Sequence, residues 1–172
     1  LKKIDTRTSL KDLVDIADII SKKGVPAQDI AALTAEFDKL NVVLGPEIGK
    51  PATATANIIK LITIFNEDKK VTAERIREIG TELFKLTTTG VATGEFLVSF
   101  AERVGAVRGI TGLTLPNVLA LGAALQQLGQ RNEVAGTAAV QLTTRLFTDV
   151  PKFAKAAKVS VDEFRQTLKD NP

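Results

Sequence analysis

The chain contains no histidine, cysteine, methionine, tryptophan or tyrosine, and its aromatic residues are 8 phenylalanines. The lack of histidine and cysteine excludes Ser-His and Cys-His nucleophile pairs, thiolate redox sites and nitrogen or sulfur metal ligands. Disulfide bonds are excluded as well, although a chain of 172 residues can bury a core without them. Most of the side-chain chemistry that enzymes use is therefore missing.

The chain also has little excess of either sign of charge. The 23 Lys and Arg residues nearly balance the 20 Asp and Glu residues, and the net charge of +3 supports solubility at least as well as nucleic-acid binding. The chain opens on Leu1 without a methionine, and residues 1–8 lack the apolar run of a signal peptide. We expect the sequence to be part of a longer polypeptide, with both ends as excision points.

Hydrophobic residues make up 44% of the chain and charged residues 25%, proportions typical of a packed soluble domain. Apolar side chains recur at helical spacing, and strand signals are nearly absent. Because the connections are short, we predict an all-α array of antiparallel helical hairpins with about eight to nine helices. Gly and Pro interrupt the pattern too often for a coiled coil. We expect one compact unit, with N-terminal helical hairpins over residues 1–90 and an Ala/Gly-rich helical core over residues 91–172.

Helix boundaries are predicted from capping residues and from Gly, Pro or polar turns. The run Thr87–Thr89 is expected to be a connection, because polar β-branched residues in series suit one. Ser160 and Glu163 have the spacing of a capping box. N-caps are predicted at Ser9, Thr72, Thr93, Thr114 and Ser160, helix ends at Gly24, Gly45–Pro46, Asn66–Asp68, Thr87–Gly90 and Gly109–Gly112, and the last helices over residues 133–147, 151–158 and 160–169.

Residues 25–40 and 113–128 show a weak internal similarity. A duplicated helical hairpin would explain it, and so would the general similarity of amphipathic helices. Both explanations stay open at the level of sequence. The alignment pairs Ile30 with Val118, Leu33 with Leu121, Phe37 with Leu125 and Leu40 with Leu128.

The region from Phe100 to Leu168 carries a series of Ala/Gly/Leu motifs. They are Arg103-Val104-Gly105, LALGAAL at residues 119–125, VAGTA at 134–138, Phe153-Ala154-Lys155 and VSVDEF at 159–164. In order and spacing this set resembles the core region of phage tail tape measure proteins. Residues 82–100 also fit the family's pattern, whereas residues 1–66 resemble it only in their general helical character.

The resemblance implies a structural segment of a long phage or prophage protein that occupies the tail lumen, takes part in tail assembly, sets tail length and leaves at DNA ejection. It implies tail tube subunits, tail assembly chaperones and tail tip proteins as partners, together with self-association and host membrane contact at ejection. It further implies synthesis in the bacterial cytoplasm and location in the virion. We expect flanking sequence, rather than this Gly- and Pro-broken segment, to set the length.

Residues 109–130 contain no charged side chain. The stretch is long enough to span a bilayer, but Pro116, Asn117, Gln126 and Gln127 interrupt it. A buried hairpin is therefore favoured over a membrane-spanning helix. Small residues four positions apart predict close helix packing in either case. They are Ala101, Gly105 and Gly109, then Ala120 and Ala124, then Ala135 and Ala139.

The remaining polar clusters favour plain structural interpretations. Lys152, Lys155 and Lys158 lie along one helix face, but no aromatic platform for bases accompanies them, so nucleic-acid binding is not favoured. We predict no catalytic, cofactor-binding or metal site, no cofactor and no enzymatic activity. The clusters assigned to helix surfaces or turns are Asp15/Asp18, Asp162/Glu163 and Asn66-Glu67-Asp68, the last being favoured as a turn over a Mg²⁺ site.

The alternative to a tail protein is a soluble helical interaction module, similar to an assembly or secretion chaperone. Such a module would bind a partner helix in an apolar groove, which we predict to be lined by Phe96, Phe100, Leu121 and Leu125. It should be a stable monomer or dimer, whereas an isolated tail segment should associate with itself.

Overall fold

The helical spacing of apolar residues and the Gly, Pro and polar turns between helices determine the architecture. The computed structural model describes residues 6–90 and 92–170, and within them the chain forms ten α-helices, one short 3-10 helix and no strand. The predicted all-α array of hairpins is confirmed. The helices are α1 (Leu10–Ser21), α2 (Ala27–Leu44), α3 (Pro51–Phe65), α4 (Ala73–Thr89), α5 (Gly94–Gly105), α6 (Arg108–Thr111), α7 (Leu115–Gln127), α8 (Asn132–Thr148), α9 (Val150–Ala157) and α10 (Val161–Asp170), with the 3-10 helix at Gly45–Ile48.

Four of the five predicted N-caps accept a hydrogen bond from a backbone N–H three residues ahead. Thr114 occupies the N-cap position of α7 without such a bond. These local contacts satisfy donors that have no partner inside a helix. The hydroxyl oxygens are those of Ser9 (from Asp12, 3.1 Å), Thr72 (from Arg75, 3.4 Å), Thr93 (from Phe96, 3.3 Å) and Ser160 (from Glu163, 3.1 Å).

One predicted connection and one predicted boundary are wrong. Helix α4 continues through the threonine run to Thr89, because the hydroxyls donate to carbonyls of the preceding turn; Thr88 Oγ1 lies 2.6 Å from the Phe84 carbonyl oxygen. Helix α5 ends at Gly105 rather than near Gly112. There the N–H groups of Ala106 and Val107 donate to carbonyls three residues back, and the tightened turn leads into the single-turn helix α6. This split is one reason why the structure has more helices than predicted.

The helices pack in two layers, with α1, α3, α5 and α8 in one and α2, α4 and α7 in the other. Within a layer, neighbouring helices run in the same direction. Glu36 of α2 pairs with Arg77 of α4, and further along both helices Leu40 lies beside Gly80. Similarly, α3 and α5 are joined by the Lys60–Glu102 ion pair. This is the way in which repeat proteins stack helix pairs.

One hydrophobic core runs through the array from Ile16 to Ala139 and includes residues of both predicted regions. The division near residue 90 stays a prediction. Helices α9 and α10 lie outside this core, and their described contacts include a stack of the Phe153 and Phe164 rings at 6.5 Å between centroids. The core is therefore formed by α1–α5, α7 and α8, and the last two helices form a separate hairpin.

The two segments of the internal alignment occupy different environments. Leu40 of α2 is 6% exposed, whereas the aligned Leu128 at the end of α7 is 74% exposed. Leu33 is buried, whereas Leu121 is exposed. The matched positions do not play equivalent packing roles, so the structure does not support a duplication in this register.

The uncharged stretch 109–130 forms the end of α6, a turn closed by Gly112 with φ +68°, the 13-residue helix α7 and the turn that follows it. Among the described residues, no helix combines the length and the apolar character needed to cross a bilayer.

Candidate functional site

A cleft of about 330 Å³ lies between α2 and α4. Its apolar wall includes Leu40, Val43 and Phe84, and its polar end is formed by Glu36, Lys39 and Arg77. Gly80 determines how closely the helices approach, since a Cβ at this position would lie 2.9 Å from Leu40 Cδ1. The cleft is therefore narrow at Gly80, and exposed Val43 and Phe84 lie beyond it.

Glu36 organises the polar end of the cleft. Its side chain is only 11% exposed, and its two oxygens accept from different cations: Arg77 Nε at 2.8 Å and Lys39 Nζ at 2.9 Å. The bond from Arg77, reinforced by Lys39, lowers the pKa of Glu36 from 4.5 to about 2. The same pair raises the pKa of Arg77. Glu36 is thus ionised at neutral pH and holds both cations in place.

The geometry suits recognition rather than catalysis. Two cations share one half-buried carboxylate in the lining of the cleft, and Glu74 acts electrostatically on Arg77 from beside it. Among the described residues, Arg77 donates a hydrogen bond to Glu36 through Nε. The terminal amino groups of its guanidinium can therefore donate to a carboxylate from outside. An apolar wall beside such a group fits a peptide segment with an apolar side chain and a nearby carboxylate.

Sequence reasoning missed this cleft. Glu36 and Arg77 are distant in the chain, and nothing in either local pattern indicates that they meet. The available signal is Gly80, an isolated glycine within a helical pattern, which often marks close packing.

The predicted groove is wrong. Phe96 and Phe100 are buried, with their rings stacked at 6.1 Å between centroids. Helix α7 covers Phe100 so closely that a Cβ at Gly122 would lie 2.8 Å from its ring. Leu125 is half-buried and Leu121 is exposed, so the four side chains do not line one open groove.

The polar clusters have the structural surroundings that the sequence favoured. Lys152, Lys155 and Lys158 are exposed. Asp68 accepts from Arg75 and, at 3.1 Å, from the Lys70 N–H, and the bond from Arg75 is the main cause that lowers the pKa of Asp68. Asn66 donates to the Ile62 carbonyl at 3.1 Å, so this segment closes the turn after α3. Of the two carboxylate pairs, Asp18 contacts Lys22 and Asp162 contacts Arg165.

Three glycines of the Ala/Gly motifs lie where α5 meets its neighbours. A Cβ at Gly105 would come within 2.4 Å of Ile64 on α3, and one at Gly122 of α7 within 2.8 Å of Phe100. A Cβ at Gly136 of α8 would lie 2.7 Å from Cδ of Arg103. Gly105 and Gly122 therefore determine how closely α3 and α7 pack around α5, whereas the flexible Arg103 side chain beside Gly136 can move.

Comparison with known proteins places this fold in a family. No curated protein and no solved structure shows significant similarity to the chain. The family profile described as phage-related minor tail protein matches residues 2–170, which is nearly the whole chain. The match includes the α2–α4 cleft as well as the motifs around α5. The chain belongs to the phage-related minor tail protein family.

Proposed function

We propose that the chain is a folded, non-catalytic segment of a tail tape measure protein that lies in the tail lumen and takes part in tail assembly and DNA ejection. The observation that carries the proposal is the placement of the Ala/Gly motifs that resemble this class. Gly105, Gly122 and Gly136 each lie at a close helix contact, so the motifs that carry the resemblance lie at packed helix contacts rather than on the exposed surface. Membership of a phage tail family supports the same assignment.

In this proposal the segment acts as a compact unit, and other parts of the protein set tail length. A continuous helix of 172 residues would be about 260 Å long at a rise of 1.5 Å per residue. The longest described helix, α2, has 18 residues and spans about 27 Å. A ruler needs extended length, which the folded array does not provide.

The proposed partners are tail tube subunits, tail assembly chaperones and tail tip proteins, with the host membrane as a contact at ejection. The synthesis site is the bacterial cytoplasm of the phage or prophage host. A tape measure role requires repeated weak contacts along the lumen and no bond-making step, which is why we propose no enzymatic activity for the segment.

The test uses a phage that encodes this chain. A protease site and an epitope inserted in the exposed turn at residues 67–69 should be protected in intact virions and become accessible after DNA ejection. An epitope accessible to antibody on intact tails would overturn the lumenal location. The same insertion in an exterior tail protein serves as the control.

The length argument has its own test. We expect an in-frame duplication of the segment to leave tail length nearly unchanged in electron micrographs. Lengthening by about 260 Å would mean that the segment measures length as an extended helix, contrary to the proposal.

The α2–α4 cleft favours a second candidate, a helical module that binds an acidic, apolar peptide of an assembly partner. If this is its role, Phe84→Lys should abolish binding of purified tail assembly chaperone or tube subunit. Leu10→Lys, a change at an exposed apolar residue of α1, should have no effect. Equal binding by both variants would count against the cleft.

A further inference from the structure

The alternation of successive helices between the two layers predicts the positions of α9 and α10. From α1 to α5, successive helices alternate between the layers, and α7 and α8 continue the alternation. The next hairpin would therefore place α9 beside α7 and α10 beside α8. Instead, among the described residues α9 packs mainly against α8 and α10, and α10 packs against α9. The outer sides of α7 and α8 remain open.

These outer sides form what we call the α7–α8 end face, with exposures of 39–74% at its large apolar residues. Ala120 and Ala124 of α7 and Ala138 of α8 are exposed as well. No charged residue occurs at positions 109–130 or 134–144. Terminal units of stacked arrays normally present a polar outer face. The large apolar residues are Leu121, Leu128, Val134 and Leu142.

The opposite end of the same layer is different. Helix α1 packs against α2 and α3, its exposed residues include Lys11 and Asp18, and exposed Lys22 follows at its C-cap. Although Leu10 and Val14 are also exposed, they are interspersed with these charges. Helix α2 also exposes Val42 and Val43. The difference between the two ends of the array is therefore that charged residues accompany the exposed apolar residues of α1 and α2, whereas positions 109–130 and 134–144 carry none.

The α9–α10 hairpin carries a matching apolar surface. Phe153, Val159, Val161, Phe164 and Leu168 are all half-buried, and α10 has no buried residue. Two short helices stacked through one pair of rings cannot bury an apolar face between them. The hairpin thus has apolar surface available to a second element.

We propose that the α7–α8 end face of one copy of this chain binds the α9–α10 hairpin of a second copy. Within one copy the α9–α10 hairpin cannot reach the α7–α8 end face, because only Asp149 separates α8 from α9 and this connection is too short. By contrast, α4 ends at Thr89 and α5 begins at Gly94, so a longer connection separates those two helices. Exchange of equivalent elements between copies completes the stacking without rebuilding this joint. The inference rests on the fold and does not depend on the proposed tail function.

The first test is the association state of the whole chain by analytical ultracentrifugation. We expect a reversible dimer whose dissociation constant rises at least about tenfold in Leu142→Lys and in Phe164→Lys. Val14→Lys, an equally non-conservative change at an exposed site of α1, should leave the dimer intact. A monomer at all concentrations up to about 1 mM would overturn the proposal, as would loss of the dimer in Val14→Lys alone.

The second test identifies the contacting surfaces and uses the absence of native cysteine. Leu121→Cys and Phe164→Cys chains are purified separately, mixed and oxidised mildly, with circular dichroism confirming that each is folded. We expect a disulfide-linked heterodimer in the mixture, and much less when Leu10→Cys replaces Leu121→Cys. Equal cross-linking with Leu10→Cys, or only an intrachain bond in the Leu121→Cys/Phe164→Cys double variant, would contradict exchange between copies.

Discussion

Replacing Gly122 by alanine tests whether close helix approach holds this fold together. The added Cβ would lie 2.8 Å from Cδ1 of Phe100, and that ring is fully buried. A buried ring cannot swing away, so α5 and α7 must separate or Phe100 must leave its preferred rotamer. Overpacking of this kind typically costs about 1–3 kcal/mol.

The substitution also has a favourable effect that must be removed from the comparison. Alanine is a better helix former than glycine by about 1 kcal/mol. Gly136→Ala provides the matched control, since its Cβ would meet Cδ of Arg103, a flexible exposed side chain that can move. Both variants gain the same helix propensity, so the difference between them isolates the packing term.

We expect Gly136→Ala to stabilise the protein by up to about 1 kcal/mol, and Gly122→Ala to be less stable than Gly136→Ala by about 1–3 kcal/mol. The measurement is urea unfolding followed by circular dichroism at 222 nm, with equal slopes confirming comparable transitions. In a Phe100→Leu background the penalty at Gly122 should shrink, because the ring is gone. A Gly122→Ala protein as stable as Gly136→Ala would refute the reasoning.

Three further predictions concern individual side chains. The lowered pKa of Glu36 means that its carboxylate stabilises the fold above pH 4.5 and that this contribution disappears as pH falls to about 2; the difference in unfolding free energy between wild type and Glu36→Gln should shrink across that window. Thr93→Ala should lose about 0.5–2 kcal/mol of stability in thermal melts, and Thr93→Ser should lose less, since serine retains the cap. In urea titrations, Leu83→Ala at a buried site should lower the free energy of unfolding by about 2–5 kcal/mol, and Leu10→Ala at an exposed site by less than about 0.5 kcal/mol. Equal losses would contradict the burial pattern.

Features decided within a few residues could be predicted from the sequence. Ser9, Thr72, Thr93 and Ser160 act as N-caps as expected, because a cap needs only its own side chain and the next turn of backbone. The threonine run after Leu86 shows the limit of this reasoning. Threonine hydroxyls can compete with the backbone hydrogen bonds of a helix, or they can donate to carbonyls of the preceding turn and leave the helix intact. The sequence does not indicate which of these two arrangements occurs, and the structure shows the second.

Features that join distant residues could not be predicted in the same way. Phe96 and Phe100 were expected to line an open groove, and the apolar spacing could not show that another element covers them. Helix α7 does so, which removes the expected groove. The α2–α4 cleft depends on Glu36 and Arg77 meeting across the layer, and amphipathic periodicity contains no information on that pairing.

The position of α5 explains why the family resemblance is spread over several short motifs. This helix contacts α3, α7 and α8, and each of the three contacts includes one glycine of the motifs. Gly105 faces Ile64 and Gly122 faces the buried Phe100 ring, whereas Gly136 faces the flexible Arg103 side chain. The glycines lie on three different helices, so the signature of one packing centre is spread along the chain. Such a signature identifies a fold and a family but no activity. Function must then be sought on the surfaces that packing leaves open, which here are the α2–α4 cleft and the α7–α8 end face.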